Sequence, residues 1–459
     1  MQQQKNSLKR LFAVVVAVVA LSVTASAQTS SINAFSPYTM YGIGEINTPG
    51  TLTMRSMGGV GVAARQTGMI NLLNPAGFSL VTRKSFLLDV ALEGQNYYNY
   101  QTVEGAEKKS AYNSFNIREF AFLMPLAKNL GLGFSVTPYS SVGYRMMYDH
   151  VYDASDPVWG HVGRVNYSYQ GEGDVTEVKV GIGYEVVKNL SIGVAMQYYW
   201  GDIDRAFVMT PVSITGNGSY GSVSGNSEYA ISNIKAQFGV QWNALLTQKR
   251  VLTFGATYDI GGDLNPDVTS VVTGGDLYGT AVAADDNHLS ITLPRQLTIG
   301  AFYQTAKWAI GLDYTYQEWT ANKGSENTGV SGVEQSHMVV AYTDTHTIKA
   351  GMEFVPARYD TRRFWRRWSY RLGVRYGSHN QTFDDHKLQE YAVTAGFGIP
   401  IKFLGISSVD FAVEYGDRGF NVAKEIGLVR QKYVKFGVGF KLFAGAENHE
   451  YWFLRPKYD

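Results

Sequence analysis

Histidine, serine and acidic residues are the side chains of this sequence that could support catalysis or bind a metal. Its eight histidines are scattered, and the pairs His150/His161 and His379/His386 lie in or beside predicted loops. They lack the HExxH spacing and the carboxylate partner of a metal site. No G-x-S-x-G elbow leads from a strand into a helix. We therefore predict no catalytic residue, no metal site and no cofactor, and we expect these histidines at the surface.

Two further motifs have the composition of ligand sites. The Gly-Ile-Gly run at 181–183 is explained by strand alternation, because no helix follows whose N-terminus could bind a phosphate. The Asp-Asp-Asn run at 285–287 could bind a hard cation, but it fits the acidic tip of a solvated loop better. Neither motif changes the prediction that the protein is not an enzyme.

The N-terminus has the pattern of a secretory signal peptide. Lys5, Lys9 and Arg10 precede an apolar run from 11 to 23, which is shorter than the about 20 residues of a bilayer-spanning helix. Small residues at 25–27 offer a cleavage site after Ala27, so residues 1–27 should be removed. Without three of its 40 basic residues, the mature chain has 37 against 39 acidic ones. This near-zero charge argues against a nucleic-acid partner.

Long segments of alternating apolar and polar residues predict strands that cross a membrane. At 190–200 the even positions are Leu, Ile, Val, Met, Tyr and Trp, whereas the odd positions are mostly small or polar. A strand of a membrane barrel alternates in this way over about 9 to 11 residues, with its apolar side chains toward lipid. The pattern gives fourteen candidate strands: 84–98, 111–125, 130–147, 164–187, 189–205, 227–243, 250–263, 289–304, 306–320, 336–356, 368–380, 386–400, 406–418 and 428–443.

Charged residues within the candidate strands lie opposite the apolar face. A charge on the lipid face costs about 2–4 kcal/mol near the membrane midplane, so these side chains should face the lumen. Their mixed signs indicate ion pairs that join the wall to its contents rather than an ion-selective ring. The predicted lumenal residues are Asp89, Glu93, Glu177, Lys179, Lys235, Asp313, Lys349, Glu353, Arg371, Arg375, Asp410, Glu414, Lys435 and Lys441.

The predicted connections alternate between short and long. Both ends of an even-stranded barrel lie on one side, so the short turns and the tail 445–459 should be periplasmic and the long loops extracellular. A soluble β-sandwich also alternates, but its connections would not sort by length so consistently. We predict an all-β, transmembrane antiparallel barrel of about fourteen strands over residues 84–444. The predicted long connections are near 99–110, 148–163, 206–226, 264–288, 321–335, 381–385 and 419–427.

Residues 28–83 precede the first candidate strand and include a stretch that is too apolar for a surface loop. Its apolar residues show no sustained period of two, and Asn-Pro-Ala-Gly at 74–77 predicts a turn in which proline presets φ and glycine permits a positive φ. Because the rest of the chain is a barrel, we expect 28–83 to fold inside its lumen as a plug, or hatch. An ordinary turn in a globular domain is the alternative for the stretch alone.

Pro138 lies inside the third candidate strand. Proline cannot donate a hydrogen bond to a strand ladder, and it is not found in regularly paired central strands. We therefore predict a local break in strand pairing at this position. A bulge at the barrel rim, without functional consequence, is the alternative.

The signal peptide, the predicted plug with its Asn-Pro-Ala-Gly motif and the fourteen candidate strands together resemble the FadL-type family of outer-membrane channels for long-chain fatty acids and aromatic hydrocarbons. Ser-Pro-Tyr at 36–38, Tyr-Gly-Ile-Gly at 41–44 and Met-Gly-Gly at 57–59 are similar to Bacteroidetes versions of that family. The chain departs from the family pattern at its end, because it continues from Phe443 to Asp459.

This resemblance implies passive uptake of small hydrophobic molecules across the outer membrane of a Gram-negative cell. The ligand would lie against the plug and leave sideways through a gap made by an inward kink of the third strand. Its partners would be that ligand and outer-membrane lipid. The implied lateral gate is Thr137, Pro138 and Tyr139. The implied plug and ligand-path residues are Met57, Met69, Ile70, Leu72, Leu73, Asn74, Pro75, Ala76, Gly77 and Phe78.

Two alternatives concern protein partners. Arginines interleaved with aromatic residues at 362–368 predict an anchor in the lipid headgroup region, but docking of a periplasmic protein is also open. In addition, FadL-like barrels of Bacteroidetes include components that serve protein secretion or surface assembly. An apolar pocket continuous from the outer loops to the plug would favour transport, whereas a polar-filled lumen would favour the secretion role.

Overall fold

The structure is a computed structural model that describes most of the barrel and part of the segment before it. The predicted signal peptide (1–27), the acidic motif at 285–287 and the tail 445–459 lie outside the described residues. Within the described residues, no helix has the length and apolarity to cross a membrane. The described residues are 35–66, 68–81, 85–103, 106–153, 155, 162–213, 221–247, 249–264, 266–274, 291–320, 340–358, 360, 362–401, 407–421 and 427–444.

Fourteen antiparallel strands form a closed barrel wall, because the last strand pairs with the first. This confirms the predicted fold class and strand number. Each strand also pairs with its neighbour in the chain, so the wall is a simple meander. The strands are β1 (Phe86–Val103), β2 (Ala106–Ala127), β3 (Leu130–Val151), β4 (Gly163–Val187), β5 (Leu190–Ser213), β6 (Val223–Leu246), β7 (Arg250–Asp259), β8 (Arg295–Thr305), β9 (Trp308–Glu318), β10 (Thr345–Phe354), β11 (Ser369–Phe383), β12 (His386–Ile401), β13 (Ser407–Arg418) and β14 (Arg430–Ala444).

The alternation of residue types sets which face of the wall is buried. All fourteen charged residues that were predicted to face the lumen are buried. The opposite face carries exposed apolar side chains, for example Ile192, Val194 and Met196 on β5. Such an arrangement suits a lipid exterior and a polar interior, since apolar surface is stable in lipid and paired charges are not exposed to it.

Several predicted connections are wrong because the strands are longer than the predicted membrane-crossing segments. The predicted loop at 99–110 is instead the end of β1 and the start of β2, which stay paired up to Val103 and Ala106. Likewise, 381–385 is no long loop, since only Asp384 and Asp385 separate Phe383 from His386, and both have positive φ. Strand ends above a membrane have two wet faces, so polar composition there was mistaken for loop.

Four short strands account for further differences. Residues Asp267–Gly274, within the predicted loop 264–288, pair with residues 223–230 of β6, at the end of that strand away from the short turns. Gly262–Leu264 pairs with Ile291–Leu293 beside it. The single strand predicted at 336–356 is divided, because Val340–Tyr342 precedes β10 and residues 343–344 lie between them. β5 and β6 also extend into the predicted loop 206–226.

Residues 35–81 form little regular structure. They contain a short α-helix, α1 (Leu52–Arg55), two 3-10 helices at Pro37–Met40 and Pro75–Leu80, and the two-residue strand Glu45–Ile46. Most of their side chains are buried. We call residues 35–81 the N-terminal segment.

The N-terminal segment lies against wall glycines on distant strands. A Cβ added to Gly351 of β10 would lie 2.1 Å from the carbonyl oxygen of Met57, and one added to Gly193 of β5 would lie 2.3 Å from the carbonyl carbon of Pro75. Glycine is needed at both positions because only hydrogen leaves room for the approaching backbone.

Wall side chains also form hydrogen bonds with this segment. Asp313 of β9, for example, accepts from the backbone N–H groups of Gly61 and Val62 at 2.7 and 3.0 Å. Wall side chains on seven strands satisfy polar groups of a segment that forms almost no strand pairing of its own. The wall residues are Glu119, Lys179, Ser191, Gln241, Asp313, Thr394 and Arg418.

Candidate functional site

The wall is incompletely paired between β2 and β3. Their ladder runs only from Ala127 and Leu130 at the short turn to Phe120 and Val136. Beyond this point, β2 stays paired with β1 up to Ala106, and β3 stays paired with β4 up to Val151. We call the part of the β2–β3 boundary beyond Phe120 and Val136 the seam.

Pro138 lies two residues beyond the end of the β2–β3 ladder. On its other side β3 pairs with β4, where Pro138 is opposite Thr176. The register then shifts, because Ser140 is the next residue of β3 in this ladder and Tyr139 has no partner on β4. Proline has no N–H to donate, which fits an edge that β2 has left. The predicted break in pairing therefore coincides with the seam.

The N-terminal segment takes the place of β2 along part of the seam. Glu45 and Ile46 pair with Ser141 and Ser140 of β3. The backbone N–H of Asn47 donates to the carbonyl of Tyr139 at 2.8 Å. These bonds satisfy β3 backbone groups that β2 would otherwise satisfy.

A β-bulge on β2 directs two successive charged residues inward at the seam. Ala91 of β1 is opposite Glu119 and Leu92 is opposite Ile117, so Arg118 is the extra residue. Regular alternation would expose one of the pair, but the bulge lets both Arg118 and Glu119 be buried. The guanidinium of Arg118 lies 3.5 Å from Glu93.

Arg55 of α1 joins the N-terminal segment to this side of the seam. Its guanidinium is 2.9 Å from the Glu119 carboxylate and also pairs with Glu93, and all three side chains are at most 7% exposed. Glu119 also accepts a hydrogen bond from the backbone N–H of Leu52 at 2.8 Å. Arg55 is thus the ion-pair partner of Glu119, whereas Glu93 pairs with both Arg55 and Arg118.

A second buried network joins the segment to β11, β12 and β13. Arg418 of β13 is 3.0 Å from Glu45 and 2.8 Å from Glu390. Arg375 is 2.8 Å from Glu414 and 3.3 Å from Glu390. The predicted ion pairs of mixed sign are therefore present, and they connect the wall to the segment as well as strand to strand.

A cavity of about 230 Å³ lies between the N-terminal segment and the wall. Most of the lining residues are polar, although apolar atoms contribute the larger part of the cavity surface. The lining includes Glu45, Arg375, Glu390 and Arg418 of the second network and Arg118 at the seam. Thr137, Pro138 and Tyr139 also line it, so the cavity reaches the seam. Of the ten predicted ligand-path residues, Leu72 and Leu73 line this cavity.

A buried apolar cluster with many tyrosines begins where the cavity meets the seam. Tyr139 and Tyr199, which both line the cavity, are in edge-to-face contact at 4.7 Å. The cluster continues along the buried faces of β3 to β6 toward their outer ends. Its members include Met40, Ile43, Val142, Tyr144, Val165, Tyr167, Tyr169, Tyr199, Ile203, Tyr229 and Ile231.

Comparison with known proteins identifies the family. The sequence model of the BamG family matches residues 8–459, which is nearly the whole chain. The chain belongs to the BamG family. No curated protein matches its sequence.

Solved structures that resemble this BamG-family chain include FadL-type channels. A Pseudomonas aeruginosa FadL homologue superposes with a TM-score of 0.54 at 13% identity, over 86% of this chain and 97% of that one. The Pseudomonas putida toluene transporter TodX gives 0.52 at 17% identity, over 85% and 96%. The CymD monoaromatic hydrocarbon channel gives 0.51 at 14% identity, over 84% and 96%. At identities this low, these superpositions show a shared fold alone. They confirm the predicted resemblance in fold.

The Asn-Pro-Ala-Gly motif of this BamG-family chain is the start of a 3-10 helix. Asn74 caps it, since its side chain accepts from the N–H of Ala76 at 3.0 Å. Gly77 does not adopt the positive φ that glycine permits. Its role is spatial, because an added Cβ would lie 2.9 Å from the Cβ of Asn71.

The Asn71 side chain organises the turn before this helix. Its amide donates to the carbonyls of Gly61 and Ala64 at 2.7 and 2.8 Å, and its oxygen accepts from Leu73 and Asn74 at 3.0 Å each. Sequence reasoning did not single out Asn71. An asparagine inside an apolar stretch was the available signal, because asparagine satisfies turn backbone groups.

Replacing Asn71 should loosen the N-terminal segment. We expect Asn71→Ala to destabilise its packing by about 3 kcal/mol, because four hydrogen bonds are lost and buried carbonyls stay unsatisfied. Urea unfolding in lipid vesicles would measure the change. Asn113→Ala, at an exposed position of β2, is the control and should have no effect; equal stability of both variants would contradict this role for Asn71.

The histidine prediction is wrong at one position. His379 lies on β11 and lines the cavity instead of the surface, and its Nδ1 is buried without a hydrogen-bond partner. The error arose because 379 is close to a turn that was taken for a long loop. His161 lies outside the described residues, and those residues contain no group that could hold a metal ion.

Proposed function

We propose that this protein is an outer-membrane channel for passive uptake of small hydrophobic molecules such as fatty acids or aromatic hydrocarbons. In this proposal residues 28–83 are a plug inside the barrel. A ligand enters from the extracellular side, is held against the plug, and leaves sideways into the membrane through the seam near Pro138. Residues 1–27 are the export signal.

The seam is the observation that carries this proposal. Phe115, Ile117 and Phe120 of β2 are 64%, 46% and 40% exposed, so the apolar exterior of the wall continues beyond the last β2–β3 pair. The ladder therefore ends at membrane depth. Unpaired backbone at this depth is stable only where it faces protein or a cavity rather than lipid, and here it faces the N-terminal segment and the cavity.

The tyrosine-rich cluster supplies an apolar route to the seam. It lies on the inner face of the outer barrel half and meets the cavity at Tyr139 and Tyr199. Aromatic side chains offer a hydrophobic ligand large contact areas without charge. Transient rearrangement of the partly buried members, such as Met146 and Phe207, would let a ligand pass.

A plug in the lumen should shield its side chains from water-soluble reagents. We expect cysteines introduced at Leu73 and Phe78, which are 8% and 1% exposed, to resist water-soluble maleimides in the folded protein. A cysteine in place of Ser155, in an exposed connection, should react fast. Rapid labelling at both 73 and 78 would exclude the plug.

A role in protein secretion or surface assembly is the second candidate. The charged residues that line the cavity favour it, because a hydrophobic ligand gains little beside Glu45, Arg375 and Lys349.

Uptake measurements distinguish the two candidates. Cells that lack the gene should take up a radiolabelled long-chain fatty acid or toluene more slowly than cells that carry it on a plasmid. Entry of a small hydrophilic solute should not change. Equal uptake of the hydrophobic probes with and without the protein, together with loss of surface-exposed proteins from the deleted strain, would favour the secretion role.

A further inference from the structure

The connection between β10 and β11 presents a basic and aromatic surface at the short-turn side of the barrel. Its only described regular element is the 3-10 helix Phe364–Arg367. Phe364 and Trp365 are 61% and 46% exposed. Arg362 and Arg363 precede them and are also exposed. We call Arg362, Arg363, Phe364, Trp365 and Arg366 the basic turn.

The positive charge of the basic turn is only partly neutralised within the described residues. Asp360 lies 3.4 Å from Arg366 and accepts hydrogen bonds from the backbone N–H groups of Arg362 and Arg363 at 2.8 and 3.0 Å. These N–H groups lower the pKa of Asp360, so it is ionised at neutral pH. One carboxylate therefore faces three arginines, and the side chains of Arg362 and Arg363 form no ion pair with a described residue.

The basic turn continues the lipid-facing surface of the wall. Trp368, which follows it, stacks on Phe397 of β12 at 5.5 Å, and Phe397 stacks on Phe411 of β13 at 4.9 Å. The hydroxyl of Tyr370, the exposed residue at the start of β11, donates to the carbonyl of Trp365 at 3.1 Å. This aromatic row runs from the exposed face of the strands to the turn, so the turn lies where the apolar band ends.

We propose that the basic turn binds the phosphate groups of anionic phospholipids in the periplasmic leaflet. Phe364 and Trp365 enter the interface beside the acyl chains, where aromatic rings are stable with one face apolar and one edge wet. Arg362 and Arg363 meet phosphate oxygens, for which the planar guanidinium is suited. Arg366, whose guanidinium lies 5.5 Å from the Trp365 ring centre, holds that ring in place.

Native mass spectrometry of the full chain can test the selectivity of this surface. Protein equilibrated with equal amounts of phosphatidylglycerol and phosphatidylethanolamine should retain the anionic lipid preferentially. Arg362→Gln with Arg363→Gln should reduce this preference by roughly thirtyfold, which is about fivefold for each basic residue removed beside an anionic surface. Inorganic phosphate at matched ionic strength should not release the lipid, because contacts of Phe364 and Trp365 with the acyl chains also contribute to lipid binding.

The control removes the same charge at the other end of the barrel. Arg145 and Arg164 lie near the outer ends of β3 and β4 and are also exposed. Arg145→Gln with Arg164→Gln should leave the lipid preference unchanged. Unaltered selectivity in the Arg362/Arg363 variant would overturn the proposal. Loss of a copurifying periplasmic protein from that variant, with lipid selectivity intact, would assign the turn to a protein partner instead.

Discussion

Linking β2 to β3 across the seam is expected to reduce uptake of hydrophobic substrate to the level of cells without the protein. Ile117→Cys on β2 and Pro138→Cys on β3 lie on either side of the seam beyond the last β2–β3 pair. A short reducible bifunctional crosslinker would hold these edges together. In the proposed mechanism, the route from the cavity to lipid would then be closed, while the N-terminal segment and the rest of the wall are untouched.

Two comparisons isolate the effect of the link. Reduction of the crosslinker should restore uptake in the same protein, which separates closure from the loss of proline. A crosslink between Phe122→Cys and Phe134→Cys, which are directly opposite in the paired part of the ladder, should leave uptake unchanged. Wild-type uptake with the Ile117–Pro138 link fully formed would exclude lateral exit at this position and would favour release past the N-terminal segment.

Replacing Arg55 should have the largest effect on the N-terminal segment. Arg55→Met removes the cation from two carboxylates that are at most 7% exposed on their side chains. Removing one partner of a buried ion pair costs about 3–5 kcal/mol, because a charge is left without compensation. Glu93 keeps Arg118 at 3.5 Å, so Glu119 bears most of the loss.

Maleimide labelling at a cysteine in place of Leu73 would report this change. If the segment opens without unfolding of the wall, the labelling rate of this cysteine should rise at least a hundredfold in Arg55→Met. A hundredfold rise corresponds to a loss of about 3 kcal/mol in the stability of the segment. Adding Glu119→Gln should recover much of the protection, since the uncompensated carboxylate is gone. Arg164→Gln breaks an exposed pair with Asp149 and should change the rate less than about fivefold. Wild-type labelling in Arg55→Met would contradict the role of Arg55 in holding the N-terminal segment against the wall.

The barrel could be predicted from sequence because a membrane imposes a strict period on each strand. Lipid requires apolar residues on one face, so Ile192, Val194 and Met196 determine the orientation of β5 by themselves. The same rule placed charges such as Asp313 and Arg371 inside. Beyond the membrane this constraint ends, which is why the outer parts of β1 and β2 were taken for a loop.

The seam and its ion pairs could be predicted only in part. Pro138 shows that a regular ladder is interrupted, but which neighbour separates depends on register, and register is a property of two strands. The bulge at Arg118 likewise follows from an extra residue relative to β1 that no local pattern reveals. Arg55 was visible as a charge in an apolar region, but its partners on β1 and β2 are distant in sequence.

Analysis of the bound ligand tests the central claim most directly. Protein purified in mild detergent would be extracted with organic solvent, and the extract examined by mass spectrometry beside an extract of a barrel without a plug. A hydrophobic channel should retain an acyl or aromatic molecule in substoichiometric to equimolar amount, and the crosslinked Ile117–Pro138 protein should retain it as well. Absence of any hydrophobic ligand, with a secreted protein copurifying in its place, would contradict the account.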